Sequence, residues 1–292
     1  MRGDRHALAL IALFAGATAI ASSALFVKVS ETGPVSTAFW RVFLALPLLW
    51  AWALAGGWKL HARNYRGRRG LMWGAGLFFV GDLAVLHWSI LLTSVANATL
   101  LANLAPIFVT LAAWLMFRQA PAGVFLTGLV FALAGMALLI GGDFELTRGA
   151  LLGNILGVVT AMFYAGYQMV VTRLRAEVST ASIMAWSSAI TTVVLLPLAL
   201  ASGEQFLPVS SMGWIKLFGL ALISQVAGQS LIAYAMAHLP ATLSSVGLLL
   251  QPVIAALLAA ALLGEAMYAL QIVGGVMMLI GIGIAHQGPR RL

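Results

Sequence analysis

Asp82 is the acidic residue that lies deep inside a hydrophobic stretch of this sequence. Its neighbours Gly81 and Leu83 supply no cation, so no local ion pair would neutralise it. Ionisable groups within lipid are costly, and they commonly mark a substrate pathway, a proton relay or a counter-ion. This carboxyl could relay protons or hold a substrate ammonium group. Alternatively, it could be a neutral, hydrogen-bonded group that fixes helix packing.

Other polar side chains recur at helical spacing. Tyr164, Tyr167 and Gln168 stand at i, i+3 and i+4, so they share one face of a helix, as do Gln225 and Gln229. Such a face can line a pathway or bond neighbouring helices together, and serine or threonine can simply bond the preceding turn. The candidate substrate-binding residues are Thr18, Ser22, Asp82, His87, Trp88, Thr99, Asn103, Tyr164, Tyr167, Gln168, Gln225, Gln229, Tyr234, Ser244 and Gln251.

The sequence offers little for catalysis. There is no cysteine, and aspartyl chemistry would need a second buried carboxylate beside Asp82. His87 is the one candidate base for a serine nucleophile, and no Gly-x-Ser-x-Gly elbow accompanies it. No metal-ligand cluster and no Walker loop is present. We therefore expect no catalytic residue, no metal and no cofactor, and we expect that the protein is not an enzyme.

The composition indicates that lipid surrounds most of the chain. Hydrophobic residues make up 62% of the 292 residues and charged residues 8%, whereas a soluble domain carries about 25% charged residues. A soluble fold of this size has too little interior to bury so much apolar surface. The net charge of +8 could suggest nucleic acid, but basic loops that orient a membrane protein explain it better, so no nucleic acid partner is expected.

Charged residues divide the chain into apolar runs, and a spanning helix needs about 20 apolar residues. Two of the runs are long enough for two helices, with Thr93-Ser94 and Leu239-Pro240 as the dividing turns. The sum is ten predicted spans, numbered here in chain order. The runs are His6–Val27, Val42–Trp58 (starting nearer Val35), Gly70–Phe117, Gln119–Gly142, Gly149–Thr172, Val178–Gly203, Leu217–Gly264 and Ala266–Pro289.

Ten antiparallel spans place both termini on one side of the membrane. Twelve of the 16 lysines and arginines fall on that side. The positive-inside rule then predicts that both termini are cytoplasmic. Arg41 is among the four basic residues of the opposite side, where we expect it to snorkel to the membrane surface, although it could bind a substrate carboxylate.

The two halves of the chain are similar at an offset of 146 residues. Pro106 aligns with Pro252, Trp40 with Trp186, and Trp88 with Tyr234. Residues 1–146 and 147–292 are therefore predicted to be five-helix repeats, and an odd number of spans gives the second repeat the opposite orientation. Inverted repeats in transporters enclose a central site that alternates between the two sides.

The polar faces predict which helices surround that site. They occur on spans 1, 3, 4, 6, 8 and 9, whereas spans 2, 5, 7 and 10 are plainer and are predicted to be peripheral. Pro106 and Pro252 are predicted to kink spans 4 and 9 and to free backbone carbonyls there.

The chain resembles the EamA family of the drug/metabolite transporter superfamily. The resemblance is carried by the fourth helix of each half, in Leu104-Ala-Pro106-Ile-Phe and Leu250-Gln-Pro252-Val-Ile, and by Leu263-Gly264-Glu265. The small-residue stretches Ser94–Thr99 and Pro240–Ser245 also fit, and Arg118-Gln119 in place of Gly264-Glu265 departs from the pattern. The resemblance covers essentially the whole chain.

The resemblance implies an all-α integral membrane transporter, with two inverted five-helix repeats around a central cavity. Within the family the chain looks most like bacterial amino acid exporters, in particular the YddG type that exports aromatic amino acids. It further implies a multi-pass protein of the bacterial inner membrane that acts as a monomer on a small-molecule substrate. Coupling of transport to protons is left open. Export of cationic drugs or other metabolites is the alternative within the family, and a channel or intramembrane enzyme is the alternative from another class.

Overall fold

The computed structural model describes residues 2–55, 68–93, 95–118, 120–140, 148–263 and 268–287. Within those residues the chain is helical and contains no β-strand. Nine helical stretches are long and apolar enough to cross a membrane. A tenth helix, Gly123–Ile140, has 18 residues and thus a length of about 27 Å, close to the hydrocarbon thickness of a bilayer. The described residues therefore contain the ten predicted spans.

Four of the ten spans are built from more than one helix. In chain order, the spans are Arg2–Ala21 with Ser23–Lys28 (span 1), Pro34–Ala55 (span 2), Arg69–Leu92 (span 3), Val95–Ala102 with Ala105–Phe117 (span 4), Gly123–Ile140 (span 5), Arg148–Leu174 (span 6), Thr180–Ala201 (span 7), Ser211–Gly219 with Leu220–Gly228 and Gln229–Ala235 (span 8), Ala241–Gly247 with Leu250–Leu263 (span 9) and Ala269–Gln287 (span 10).

Spans 4 and 9 are each interrupted near the middle, and a proline follows each interruption. Pro106 is the second residue of the helix that resumes span 4, and Pro252 is the third residue of the helix that resumes span 9. Proline is tolerated in the first turn because the N–H groups there have no partner within the helix. At the first interruption, the Asn103 side-chain amide donates a hydrogen bond of 2.8 Å to the Thr99 carbonyl. The prolines thus mark broken helices.

Spans 5 and 10 pack backbone against backbone through glycines. Gly128 lies against the Gly281 carbonyl, and Gly135 lies against the Gly274 carbonyl, so a Cβ atom on any of the four would overlap the facing helix. The pairs are reciprocal, because Gly274 and Gly281 follow Gly128 and Gly135 by 146 residues. A two-fold axis requires such an exchange, in which equivalent residues meet each other in return. This contact supports the inverted repeat.

The remaining spans also pair across the two halves. Span 3 packs along span 6, span 1 along span 8, and span 2 against span 7. Exchanging the halves converts the pair of spans 3 and 6 into the pair of spans 8 and 1, as an inverted repeat requires. The predicted boundary between residues 146 and 147 lies outside the described residues and stays a prediction.

Span 8 departs from α-helical geometry in its middle. Residues Leu220–Gly228 form a π-helix, which contains Gln225. Such segments are rare and are frequent at functional sites, because the extra residue per turn changes the direction of the side chains. The equivalent part of span 3 is an ordinary α-helix that carries Asp82. The two halves therefore share their fold but present different side chains to the centre.

Candidate substrate site

An oppositely charged pair occupies the interior of the bundle. Arg41 on span 2 and Asp82 on span 3 are both partly buried, and their charges interact electrostatically. The Arg41 Nε atom donates a hydrogen bond of 3.0 Å to the Gln225 Oε1 atom on span 8. The pair thus joins two spans of the first half to one span of the second.

A chain of hydrogen bonds continues from this pair into the second half. Gln225 is 1% exposed, and its Nε2 atom donates a bond of 3.1 Å to the Ser188 Oγ atom on span 7. Both ends of the Gln225 amide are therefore used, one by Arg41 and one by Ser188. Because a buried amide with both ends bonded is held in one orientation, Gln225 fixes the position of the Arg41 guanidinium.

Two tyrosines of span 6 border the charged pair. The Tyr164 and Tyr167 rings lie nearly parallel with centroids 6.4 Å apart, and the Phe79 ring lies 5.0 Å from that of Tyr167. Both hydroxyls interact electrostatically with Arg41 and Asp82. Tyr164 also borders a cavity that Gln251 of span 9 lines. An aromatic wall with polar edges thus stands beside the pair.

A small polar cavity, which Tyr164 lines, lies between the broken parts of spans 4 and 9. Its volume is about 10 Å³, which is room for about one water molecule. Gln168 is fully buried, and neither its Oε1 nor its Nε2 atom has a hydrogen-bond partner; the Gln251 Nε2 atom also lacks one. The residues lining the cavity are Asn103, Ala105, Pro106, Tyr164, Gln168, Ser245, Leu248, Leu249 and Gln251.

One carboxylate ties the halves together on the side away from the chain ends, here called the far side. Glu31, between spans 1 and 2, accepts hydrogen bonds of 2.9 Å from the Val209 and Ser210 N–H groups at the start of span 8. It also accepts a hydrogen bond from the Ser210 hydroxyl. The Ser210 bonds are the main reason that the pKa of Glu31 is lowered. We call this contact the far-side latch.

A second carboxylate ties the halves together on the opposite side, here called the terminus side. Glu177, between spans 6 and 7, forms a bidentate salt bridge with Arg68 at the start of span 3. The hydrogen bond from Arg68 lowers the pKa of Glu177, and the same bond raises the pKa of Arg68. We call this contact the terminus-side latch.

The two latches are equivalent under the repeat. Glu177 follows Glu31 by 146 residues, and each carboxylate bonds the start of the third span of the other half, span 8 or span 3. A further carboxylate, Glu204, accepts bonds of 2.9 and 3.3 Å from the Val35 and Ser36 N–H groups at the start of span 2. Both latches are formed together, so the halves are tied at both ends around the charged pair.

The structure brings about half of the predicted site residues together. Those that gather around the charged pair and the polar cavity come from spans 3, 4, 6, 8 and 9. They are Asp82, Asn103, Tyr164, Tyr167, Gln168, Gln225 and Gln251.

Other predicted site residues lie away from this cluster. Thr18 shares an exposed stripe with Leu8 and Ile11 and bonds the Phe14 carbonyl, and the Ser22 hydroxyl bonds the Ala19 carbonyl. Both hydroxyls thus satisfy their own backbone, which was the alternative interpretation. Trp88 is 49% exposed and borders an apolar cavity of about 120 Å³ at the far-side end of span 3.

The remaining predicted residues are placed as follows. The Tyr234 ring stacks 4.8 Å from that of His238 at the end of span 8, and Thr99 supplies its carbonyl to Asn103. Gln229 and Ser244 are buried in spans 8 and 9. The side chain of His87 lies outside the described part of the chain.

Spans 2 and 7 contribute to the site, although their plain sequences predict a peripheral position. Arg41 does not snorkel to the membrane surface, because Gln225 and Asp82 hold it inside, and Ser188 on span 7 completes the network. A signal for Arg41 was present, since the aligned tryptophans Trp40 and Trp186 immediately precede Arg41 and Ser187. Spans 5 and 10 are peripheral as predicted, because they pack chiefly on each other.

This arrangement suits binding of a small polar molecule. One positive and one negative side chain interact electrostatically inside the bundle, the amide of Gln225 bonds the positive one, and two tyrosine hydroxyls interact with both. Among the described residues, no group of three or more histidine or acidic side chains could hold a metal ion. The site thus offers complementary charges and hydrogen bonds.

Comparisons with known proteins agree with this architecture. The chain is 26% identical over 276 residues to an uncharacterized transporter of Archaeoglobus fulgidus, covering 90% of this chain and 91% of the relative. A second uncharacterized transporter of that organism is 28% identical over 193 residues, covering 66% and 67%. A solved crystal structure superposes over the whole of both chains with a TM-score of 0.80 at 17% identity, which shows the fold alone. The model of the EamA-like transporter family matches residues 7–141 and 151–285. The chain therefore belongs to the EamA-like transporter family, and it is a multi-pass membrane transporter.

Proposed function

We propose that this transporter exports amino acids by alternating access, with the Arg41 and Asp82 pair binding the charged head of the substrate. The observation that carries the proposal is the pair itself, held inside the bundle where the two halves meet. An α-amino acid carries one carboxylate and one ammonium group on neighbouring atoms. Arg41 is suited to the carboxylate, because a guanidinium binds carboxylates with two parallel bonds, and Asp82 is suited to the ammonium.

The neutral sum of the pair favours a zwitterion over a cationic drug. A cation could reach Asp82, but the neighbouring Arg41 would repel it, and an anion would meet the opposite difficulty. A bound zwitterion gives Arg41 a carboxylate in place of Asp82 and gives Asp82 an ammonium in place of Arg41. Little charge is then left uncompensated. Amino acids therefore fit the pair better than cationic drugs do.

The aromatic wall supports the preference for aromatic and other apolar side chains. Tyr164, Tyr167 and Phe79 provide flat apolar surface beside the pair. Aromatic pairs in offset or tilted geometry add about 0.5–1.5 kcal/mol beyond the burial of their area. An aromatic amino acid could therefore bind with its head on the charged pair and its ring against this wall.

The two latches support alternating access. Because Glu31 and Glu177 are equivalent under the repeat, releasing one while keeping the other would open one end of the bundle. The halves would then exchange conformations around the fixed site. We place the protein as a monomer in the bacterial inner membrane with both termini in the cytoplasm, so that opening at Glu177 admits substrate from the cytoplasm.

Asp82 also leaves room for coupling to protons. If protons are exchanged for substrate at this carboxyl, Asp82→Asn should abolish the pH dependence of exchange. Unchanged transport with an unchanged pH response in this variant would remove Asp82 from that role and favour facilitated diffusion down the cytoplasmic gradient.

The proposal is tested by counterflow in liposomes that hold the purified protein. The panel contains labelled amino acids, with phenylalanine, tyrosine, tryptophan, threonine and a cationic drug as competitors. We expect saturable amino acid flux, stronger competition by aromatic amino acids than by the drug, and no competition by an amine or acid that lacks half of the zwitterion. Absence of saturable amino acid flux, with drug or other metabolite flux present, would overturn the assignment.

A further inference from the structure

We infer that Gln168 is a specificity-determining residue that recognises a hydrogen-bonding group in the side chain of the substrate. The inference rests on the proposed function, and it concerns a different part of the substrate from the charged head. It assigns the polar cavity between spans 4, 6 and 9, which has room for about one water-sized group, as the subsite for the polar end of the substrate side chain. Substrates with an amide or hydroxyl at the end of the side chain are then favoured over apolar substrates of the same shape.

The first observation is that the Gln168 side chain has no partner. The side chain is fully buried, with 0% of its surface exposed, yet its Oε1 and Nε2 atoms make no hydrogen bond. Its backbone carbonyl, in contrast, accepts a bond of 2.8 Å from the Thr172 hydroxyl. Buried amides in folded proteins are nearly always bonded, and an exception calls for a ligand, a water or a strained contact.

The second observation is where this unpaired amide lies. Gln168 lines the cavity of about 10 Å³ together with Asn103 and Gln251, and the Gln251 Nε2 atom is also unpaired. Donors and acceptors therefore converge on one space from two neighbouring spans. An apolar side chain placed there would leave them unsatisfied, whereas an amide or hydroxyl would bond them.

The third observation is the distance from the charged pair. Tyr164, whose hydroxyl interacts with both Arg41 and Asp82, precedes Gln168 by one helical turn on the same face of span 6. The rise of a helix separates the two residues by about 6 Å. This is the reach of a medium or long amino acid side chain. A substrate whose head lies on the pair would thus place the end of its side chain near Gln168.

A structural role for Gln168 predicts something different. One water molecule fits the cavity and could bridge Gln168 to Gln251, which would make the amide a means of holding helices together. In that case, removing the amide changes the transport of all substrates by the same factor. A role in recognition changes the ratio between a polar substrate and its apolar counterpart.

The experiment compares matched substrates in the reconstituted transporter. Glutamine is paired with homoleucine, in which methyl groups replace the amide, and tyrosine is paired with phenylalanine. The variant is Gln168→Met, which keeps the length of the side chain and removes its donors and acceptors. The control is Thr160→Val on the same span, where the buried hydroxyl bonds the Leu156 carbonyl and the residue lines neither of the two cavities described above.

We expect the polar member of each pair to have the higher kcat/KM, by about tenfold in the wild type, because the apolar member leaves buried amides unpaired. Gln168→Met should bring the ratio close to one, and Thr160→Val should preserve it. A ratio unchanged by Gln168→Met, or an equal loss of flux for both members, would overturn the inference while the amino acid transport itself stands. Absence of flux for all four amino acids in the wild type would instead overturn the proposed function.

Discussion

The charged pair allows a stability test with two single substitutions and their combination. Each single substitution should destabilise the protein, whereas the combination should restore most of the lost stability. Arg41→Met or Asp82→Asn leaves one unpaired charge inside the bundle. Breaking a fully buried ion pair in this way costs about 3–5 kcal/mol, and we expect a smaller loss here, about 2–3 kcal/mol, because both side chains keep some exposure. The Arg41 variant additionally leaves the Gln225 Oε1 atom without its donor.

The double variant should recover most of this loss. With both charges removed, no uncompensated charge remains, and replacement of a buried pair by neutral residues is often close to neutral in stability. We therefore expect the double variant to lie within about 1 kcal/mol of the wild type. The coupling free energy between the two sites would then be about 3 kcal/mol or more.

The assay is thermal unfolding of the purified protein in detergent, run in parallel with transport. For a chain of this size, about 2–4 °C of Tm accompanies each kcal/mol, so each single variant should lose roughly 4–12 °C. Arg173→Met, which removes an exposed arginine near the end of span 6, is the control and should change Tm little. The double variant should be stable yet transport amino acids at least about 100-fold more slowly, because two charge-assisted hydrogen bonds to the substrate are lost.

Two outcomes would contradict this reasoning. Stability losses that simply add in the double variant would mean that Arg41 and Asp82 do not interact. A stable double variant that still transports amino acids at the wild-type rate would separate the pair from substrate binding.

The latches, the glycine contact and the prolines give further predictions. Glu177→Gln should make terminus-side positions more accessible to a labelling reagent. Glu31→Gln should do the same for far-side positions. The latch bonds lower the pKa values of both carboxyl groups. The latches are therefore complete above the ordinary pKa of 4.5 and are lost as pH falls through the lowered values. Labelling of the wild type should thus be constant from about pH 6 to 8 and rise only below about pH 4.5. Increased labelling on the side opposite to the substituted latch would refute the equivalence of the latches. Gly128→Ala should destabilise by about 1–3 kcal/mol through overlap with span 10, whereas Gly283→Ala in open space should be neutral or stabilising in the same Tm assay. Pro106→Ala should slow transport more than it lowers Tm, and a wild-type rate would argue against movement at that break.

The sequence alone was sufficient for the membrane architecture. Lipid imposes apolar runs of fixed length and internally bonded helices, so the ten spans can be counted from hydrophobicity and charge. The offset of 146 residues also followed from the sequence, and the reciprocal contact of Gly128 with Gly281 matches it. The breaks in spans 4 and 9 were visible because proline removes an N–H group wherever it occurs.

The candidate site could be predicted only in part. Helical spacing correctly placed Tyr164, Tyr167 and Gln168 on one inward face, because that spacing is a local property. It also included Thr18, which the structure places on an exposed stripe away from the cluster, since a hydroxyl has the same polarity whether it bonds a substrate or its own backbone. It also left Arg41 at the membrane surface, since a long cationic side chain can reach in either direction.

What the sequence determined by itself was therefore the solvent, the number and order of the spans, and the repeat. These depend on composition and on local periodicity. Only the tertiary structure decided that Arg41 meets Asp82 and Gln225, and that Glu31 and Glu177 bond the opposite half, because these contacts join residues about 40 to 190 positions apart. Their partners are selected by the packing of helix on helix, which no local pattern encodes.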